Sequence, residues 1–104
     1  MKIFAGILLL GMLLGSAGGA LAGDATAGKN KSAACTGCHG VNGVSSNPMW
    51  PNLAGQQEGY LVKQLQAFRD DVRDDPLMTP MAKTLSDADI DNLAAYYSSL
   101  QAGQ

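Results

Sequence analysis

Apolar and polar positions divide the chain into a leader-like start and three helix-patterned stretches separated by two loops. Residues 25–38 are rich in Ala and Lys and contain no Pro. Residues 57–72 place Leu61, Leu65, Phe68 and Val72 at i, i+4, i+7 and i+11, one stripe of an amphipathic helix. Residues 86–100 place Ile90, Leu93, Ala94, Tyr97 and Leu100 on one face. Ser86 is a favourable N-cap for that last stretch, and Asp87 and Asp89 stand where the helix dipole favours negative charge. Between the stretches lie two loops, 40–56 and 73–85, both punctuated by Gly or Pro. No alternating strand pattern bounded by turns occurs. The expectation is one all-α domain with two long loops.

The beginning of the chain changes the accounting. Met1-Lys2 is followed by an apolar run over 3–14 and by a stretch over 15–22 rich in Gly, Ala and Ser. Ala20-Leu21-Ala22 fits the small-x-small pattern of signal-peptide cleavage, which predicts a leader over 1–22 and a domain over 23–104. Retention as a membrane anchor is the alternative, because residues 3–22 are uncharged and about 20 apolar residues span a bilayer. Gly11, Gly15, Gly18 and Gly19 interrupt that run, and the first helical stretch follows almost at once. No cysteine lies in or just after it to carry a lipid. Export to the periplasm is therefore expected.

Cleavage after Ala22 leaves 82 of the 104 residues. Removing Lys2 from the seven Lys and Arg leaves six against nine acids, a formal charge of −3. That balance excludes a nucleic-acid partner, which demands a basic footprint. A domain this small buries little apolar surface on its own and commonly depends on a disulfide, a metal or a cofactor.

Cys35-Thr36-Gly37-Cys38-His39 supplies the candidate chemistry. Cys-x-x-Cys-His is the attachment signature of c-type haem. On one helical turn two thiols three residues apart can reach the two vinyl groups of one porphyrin edge, and the adjacent imidazole then points toward the iron. A thioredoxin-like redox pair has the same two cysteines but accompanies a βαβ pattern. A structural zinc site demands four ligands, and the chain offers two Cys and one His. One covalent haem c, held through two thioethers, is expected.

His39 is the single histidine, so a second axial ligand must come from another residue type. Met49, Met78 and Met81 are the soft candidates after the leader. Thioether coordination paired with His is an electron-carrier arrangement that raises the reduction potential. Met78 and Met81 share the Pro-flanked loop Leu77-Met78-Thr79-Pro80-Met81, which can return the chain to the far face of a flat cofactor. Met49 follows the His closely and suits the near side.

In combination these motifs resemble a class I cytochrome c of the small monohaem bacterial type, over essentially all of residues 23–100. Gly23-Asp24-Ala25-x-Ala27-Gly28-Lys29 resembles the start of that family's N-terminal helix. Cys35-x-x-Cys38-His39-Gly40 resembles its haem motif, and Pro51-Asn52-Leu53-Ala54-Gly55 its Pro-Asn-Leu-x-Gly loop. Met78-x-x-Met81-Ala82-x-x-Leu85-Ser86-Asp87 and Leu93-Ala94-Ala95-Tyr96 resemble its ligand loop and terminal helix. The resemblance implies three main helices wrapped around one covalently attached haem, with His39 and Met78 as iron ligands in preference to Met81. It implies that the Pro51 carbonyl accepts the Nδ1–H of His39, fixing the ring and raising its basicity. Leu53 would pack on the haem face, and Trp50 would line the haem pocket or serve ordinary packing. Gly28 would sit where the terminal helices cross, with Tyr96 as its aromatic contact, whereas the hydrophobic stripe nominates Tyr97.

The expected activity is one-electron shuttling between larger donor and acceptor redox proteins by a monomeric, non-enzymatic carrier with low-spin iron. No acid–base pair, nucleophile or small-molecule substrate pocket is indicated. A gas-binding haem protein with an open iron position is the main rival, but the four-helix members of that class carry the haem motif near the C-terminus. Asp70, Asp71, Asp74 and Asp75, interleaved with Arg69 and Arg73, read as a solvated helix end, with a steering patch for a basic partner as the alternative.

Overall fold

In a computed structural model that describes residues 23–103, the domain is built from five α-helices and one 3₁₀ turn, with no strand among the described residues. The leader expected over 1–22 lies outside the described residues. Helix α1 spans Ala25–Lys31, and its N-cap Asp24 accepts hydrogen bonds from the backbone N–H of Thr26 and Ala27. The Ser32 hydroxyl donates to the Lys29 carbonyl at 2.7 Å, and the chain tightens into a 3₁₀ turn over Ser32–Ala34. Helix α2 is the single turn Thr36–His39. The continuous helix expected over 25–38 is thus three short pieces. Its Ala-rich composition carried no sign of the break, which the Ser32 side chain makes by bonding back to the backbone.

Helix α3 spans Glu58–Arg69 and buries Leu61 and Phe68. It stops before the last member of its expected stripe. Asp71 adopts φ 62°, turning the chain away, and Val72 is left exposed. Helix α4, Met78–Ala82, lies within the stretch expected to be a loop. Pro80 is its third residue, a first-turn position whose N–H would have no intrahelical partner, so the proline does not oppose the helix.

Helix α5 spans Asp87–Ser98 and opens on a reciprocal capping box. Ser86 Oγ accepts the N–H of Asp89, and the Asp89 carboxylate accepts the N–H of Ser86, both at 3.0 Å. Its buried face carries Ile90, Leu93, Ala94, Tyr96 and Tyr97. The core cluster joins Leu61 of α3 to Leu93, Ala94, Tyr96 and Tyr97, with Leu53, Leu65, Leu85 and Leu100 packed around it.

The terminal helices α1 and α5 cross in close contact, and Gly28 makes the approach possible. A Cβ at Gly28 would stand 1.9 Å from the Asn92 carbonyl oxygen and 2.8 Å from Tyr96 Cβ. Only a residue without a side chain lets the two backbones meet there. Asn92 Oδ1 accepts the Asp24 N–H at 2.8 Å, and Lys31 pairs with Asp89 at 3.4 Å, so polar contacts hold both ends of the crossing. Tyr96 belongs to this crossing. Tyr97, one residue on, lines an apolar cavity instead, so both tyrosines are inward.

The acidic cluster is mostly tied into the fold. Asp70 pairs with Arg69, Asp71 with Lys83 at 2.6 Å, and Asp75 caps the approach to α4. Arg69 also reaches Asp87 at 2.8 Å and the Leu85 carbonyl, linking the end of α3 to the start of α5.

Candidate cofactor cavity

The three cofactor-facing side chains of the motif are delivered by one turn of chain. Cys35 precedes α2, and its carbonyl accepts the N–H of Cys38 at 3.3 Å and of His39 at 2.9 Å. Both cysteines are free thiols, Cys38 exposed and Cys35 partly buried. Burial pushes the Cys35 thiol pKa up, the Tyr97 phenol opposes that, and charge on Cys38 adds to it.

Beyond α2 the chain must reverse sharply. Gly40 does so at φ 89°, with the Val44 carbonyl so close that any Cβ there would meet it at 1.9 Å. The 40–56 loop then closes on the Gly43 carbonyl, which accepts the N–H of Leu53 at 2.8 Å and of Ala54 at 3.0 Å. Asn52 Oδ1 accepts the Ser45 N–H at 2.7 Å across the same loop. These bonds carry the Pro51 carbonyl back to His39, whose Nδ1 lies 2.7 Å from it. A carbonyl only accepts, so Nδ1 bears the proton and donates. In the neutral ring the lone pair then falls on the other nitrogen, Nε2. His39 itself is 6% exposed, so its ring is held by packing as well as by the bond.

The methionine loop is fixed by a second polar knot. Asp75 Oδ1 accepts the N–H of Leu77 at 2.8 Å and of Met78 at 2.9 Å. Those bonds, Met78 first, hold the Asp75 carboxyl below the usual carboxylate range. The Thr79 hydroxyl, in a buried residue, accepts the Asp75 N–H and donates to the Arg73 carbonyl. The backbone on both sides of Met78 is therefore pinned. Met78 is half-buried, whereas Met81 is 44% and Met49 80% exposed.

These segments enclose a largely apolar cavity of about 970 Å³. Cys35, Cys38, His39, Trp50, Pro51, Leu53 and Met78 all line it, and so do Met49 and Met81. Its volume is at the upper end of the roughly 300–1,000 Å³ typical of small-molecule and cofactor sites. The greasy walls come from α3 and α5, among them Leu61, Leu65, Phe68, Leu93 and Ala94. Tyr97 also lines it, and its buried hydroxyl finds no hydrogen-bond partner among the described residues. Periodicity puts Tyr97 on the buried stripe of α5 and gives it no part in the site. Asp75 escaped notice because it was counted with its acidic neighbours.

Residues 25–101 match the family model for cytochrome c. The chain belongs to the cytochrome c family. Cytochrome c-554(548) of Halomonas halodenitrificans is 51% identical over 81 residues, covering 75% of this chain and 98% of that one. Cytochrome c4 of Pseudomonas aeruginosa is 47% identical over 78 residues, which is 75% of this chain but 39% of the relative. The crystal structure of reduced recombinant cytochrome c4 from Pseudomonas stutzeri superposes with a TM-score of 0.73 at 46% identity, covering 77% of this chain and 47% of that one. The chain thus spans nearly all of the first relative and less than half of these two c4 proteins. The class I cytochrome c fold is the one observed, all-helical among the described residues.

Membership implies a covalently bound haem c and a role in electron transport, and Cys35 and Cys38 fit its Cys-x-x-Cys-His motif. The residues of this cytochrome c domain fit such a group. Two free thiols, an imidazole with its Nδ1 already committed, and a thioether-bearing loop all border one apolar cavity. Among the described residues no helix is long and apolar enough to cross a membrane.

Proposed function

We propose that the protein is an exported monohaem carrier that passes one electron at a time between larger redox proteins, with low-spin iron held by His39 and Met78. The observation that carries this reading is the 2.7 Å bond from His39 Nδ1–H to the Pro51 carbonyl, which leaves Nε2 available in a cavity that Met78 also lines. A haem bound there supplies a ferric–ferrous couple.

The chain's own residues do the rest. Cys35 and Cys38 anchor the group by adding their S–H bonds across its two vinyls, which retains it in a domain with a small core. Pro51 orients the imidazole and raises its basicity through the shared proton. Asp75 and Thr79 hold the Met78 backbone, so the ligand keeps its place in both oxidation states. Leu53, Trp50, Leu61 and Phe68 exclude water, and a dry, rigid surround limits the rearrangement that accompanies electron transfer. Met78 is favoured over Met81 by its lower exposure and by the carboxylate fixing its N–H. Export through a leader cleaved after Ala22 and a monomeric state belong to the same proposal.

Protein from a host competent in cytochrome maturation should give a pyridine haemochrome spectrum for one c-type haem and the near-infrared Met–iron charge-transfer band. Met78→Ala should abolish that band and open the reduced iron to carbon monoxide, while Met81→Ala should keep both properties of the parent. A parent that binds carbon monoxide readily, or a Met78→Ala protein that retains the band, overturns the ligand assignment. A mature N-terminus other than Gly23 overturns the processing step.

A further inference from the structure

Tyr97 is 3% exposed, and its hydroxyl is buried in the cavity wall with no hydrogen-bond partner among the described residues. A buried hydroxyl left unpaired keeps its desolvation penalty, and Phe would fill the same space without it. The ring cannot swing out to water. Its centroid is 5.0 Å from that of Tyr96, a Cβ on Gly43 would meet its edge at 3.0 Å, and its own carbonyl is held by the Gly55 N–H at 2.9 Å.

Cys35 packs against the core cluster to which Tyr97 belongs, and both line the same cavity, while Ser32 is buried just before Cys35 in the chain. Burial first, and then the charge of Cys35, raise the Tyr97 phenol pKa. The Ser32 hydroxyl spends its own proton on the Lys29 carbonyl, so toward Tyr97 it is an acceptor only. Cys35 as a free thiol is both a weak donor and a weak acceptor. Converted to a thioether it loses its proton and becomes an acceptor alone. A phenol that can only donate inward is then matched to a sulfur that can only accept.

We propose that the Tyr97 O–H donates a hydrogen bond to the Cys35 sulfur once that sulfur is a haem thioether, making Tyr97 a positioning residue that sets the attachment edge and biases the redox equilibrium. The inference rests on the reading that Cys35 carries the haem. The positive end of the O–H dipole faces the macrocycle edge and favours its electron-richer, ferrous state. Tyr97 therefore raises the reduction potential.

The test is Tyr97→Phe in the haem-loaded protein. Only a fraction of such a hydrogen bond's strength differs between oxidation states, so the effect is small. The expected change is a shift of about two- to threefold toward the ferric form. At about 59 mV per tenfold for one electron, the midpoint potential falls by about 20–30 mV. The near-infrared band stays in place and thermal stability does not rise. An unmoved potential together with a gain in stability shows a merely unpaired hydroxyl and overturns the proposal. Ser32→Ala should leave the potential where it is, and a fall equal to that of Tyr97→Phe would reassign the phenol proton to Ser32. A measurement on the unaltered protein stands beside these variants. Exchange into D₂O should move the thioether C–S stretching band in resonance Raman, and a band that does not move overturns the proposal. A colourless parent with two reactive thiols overturns the haem reading and this inference together. A coloured parent whose potential ignores Tyr97→Phe overturns this inference alone.

Discussion

Adding one methyl group at the crossing of the terminal helices, Gly28→Ala, should cost the haem-loaded protein about 3 kcal/mol, by the following reckoning. The new Cβ would stand 1.9 Å from the Asn92 carbonyl oxygen, and ordinary contact begins near 3.4 Å, so α1 and α5 must part by about 1.5 Å. The obstacle is backbone on α5, which cannot rotate aside as a side chain would. A gap of about 0.5–1 Å already forfeits a quarter to a half of the dispersion energy between the faces it separates. Overpacking of this kind costs about 1–3 kcal/mol. The same displacement strains the 2.8 Å bond from the Asp24 N–H to Asn92 Oδ1, worth about 1 kcal/mol. For a domain of this size, 3 kcal/mol lowers Tm by about 12–24 °C. Thermal unfolding followed by far-UV circular dichroism checks it, with Gly59→Ala as the control. Gly59 sits in α3 with no atom within 4 Å of the added Cβ, so its replacement should raise Tm slightly through helix propensity. A drop of less than about 4 °C for Gly28→Ala would refute the backbone-contact argument.

The capping box of α5 should be pH-sensitive. The Ser86 N–H and then Lys31 hold the Asp89 carboxyl below its ordinary value near 3.8, so its contribution is present above that value and is lost as pH falls through the lower folded one. Asp89→Ala should therefore be less stable than the parent in urea at pH 7, with the gap closing below about pH 4, and a gap that persists to strong acid refutes the assignment. In protein made without haem attachment, iodoacetamide should modify exposed Cys38 before Cys35, whose thiol pKa burial raises. Peptide mass mapping at short times reads the order, and faster labelling of Cys35 would contradict the geometry.

What could be read in advance was what periodicity and short-range chemistry carry. The start of α5 follows from Ser86 as cap, and the stripe members Ile90, Leu93, Ala94 and Tyr97 are all buried. The helix ends at Ser98, however, and Leu100, the last expected member, lies beyond it and is only partly buried. The α3 stripe was legible as far as Phe68, but its end was not, because Asp71 leaves the helical region in a residue type that tolerates a left-handed turn. Helix α4 was hidden behind Pro80, whose first-turn placement depends on Asp75 and Thr79 winding the chain just before it. The division of labour between Tyr96 and Tyr97 was open for a geometric reason. Adjacent residues on a helix point about 100° apart, and this helix is buried against α1 on one side and against the cavity on the other. A single-stripe reading has room for one of them. The candidate site's seven nominated residues, drawn from three separate stretches, all line one cavity. Ligand chemistry pointed to Cys35, Cys38, His39 and the Met78 loop, whereas Pro51, Leu53 and Trp50 came from the resemblance alone.

The cavity and the core are the same surface. Leu61, Leu93, Ala94 and Tyr97 belong to the central cluster and also line the cavity wall. The residues of α3 and α5 that line the cavity thus serve both helix packing and cofactor packing. A domain of this size cannot afford separate interiors for the two tasks. The fold is therefore expected to transmit cofactor contacts directly into helix packing, with no insulating layer between. A substitution at Leu93, fully buried and touching both, should move stability and reduction potential together. A substitution at Ile90, fully buried on the same helix but absent from the cavity wall, should move stability alone. That contrast separates a cofactor resting in a finished core from one that completes it.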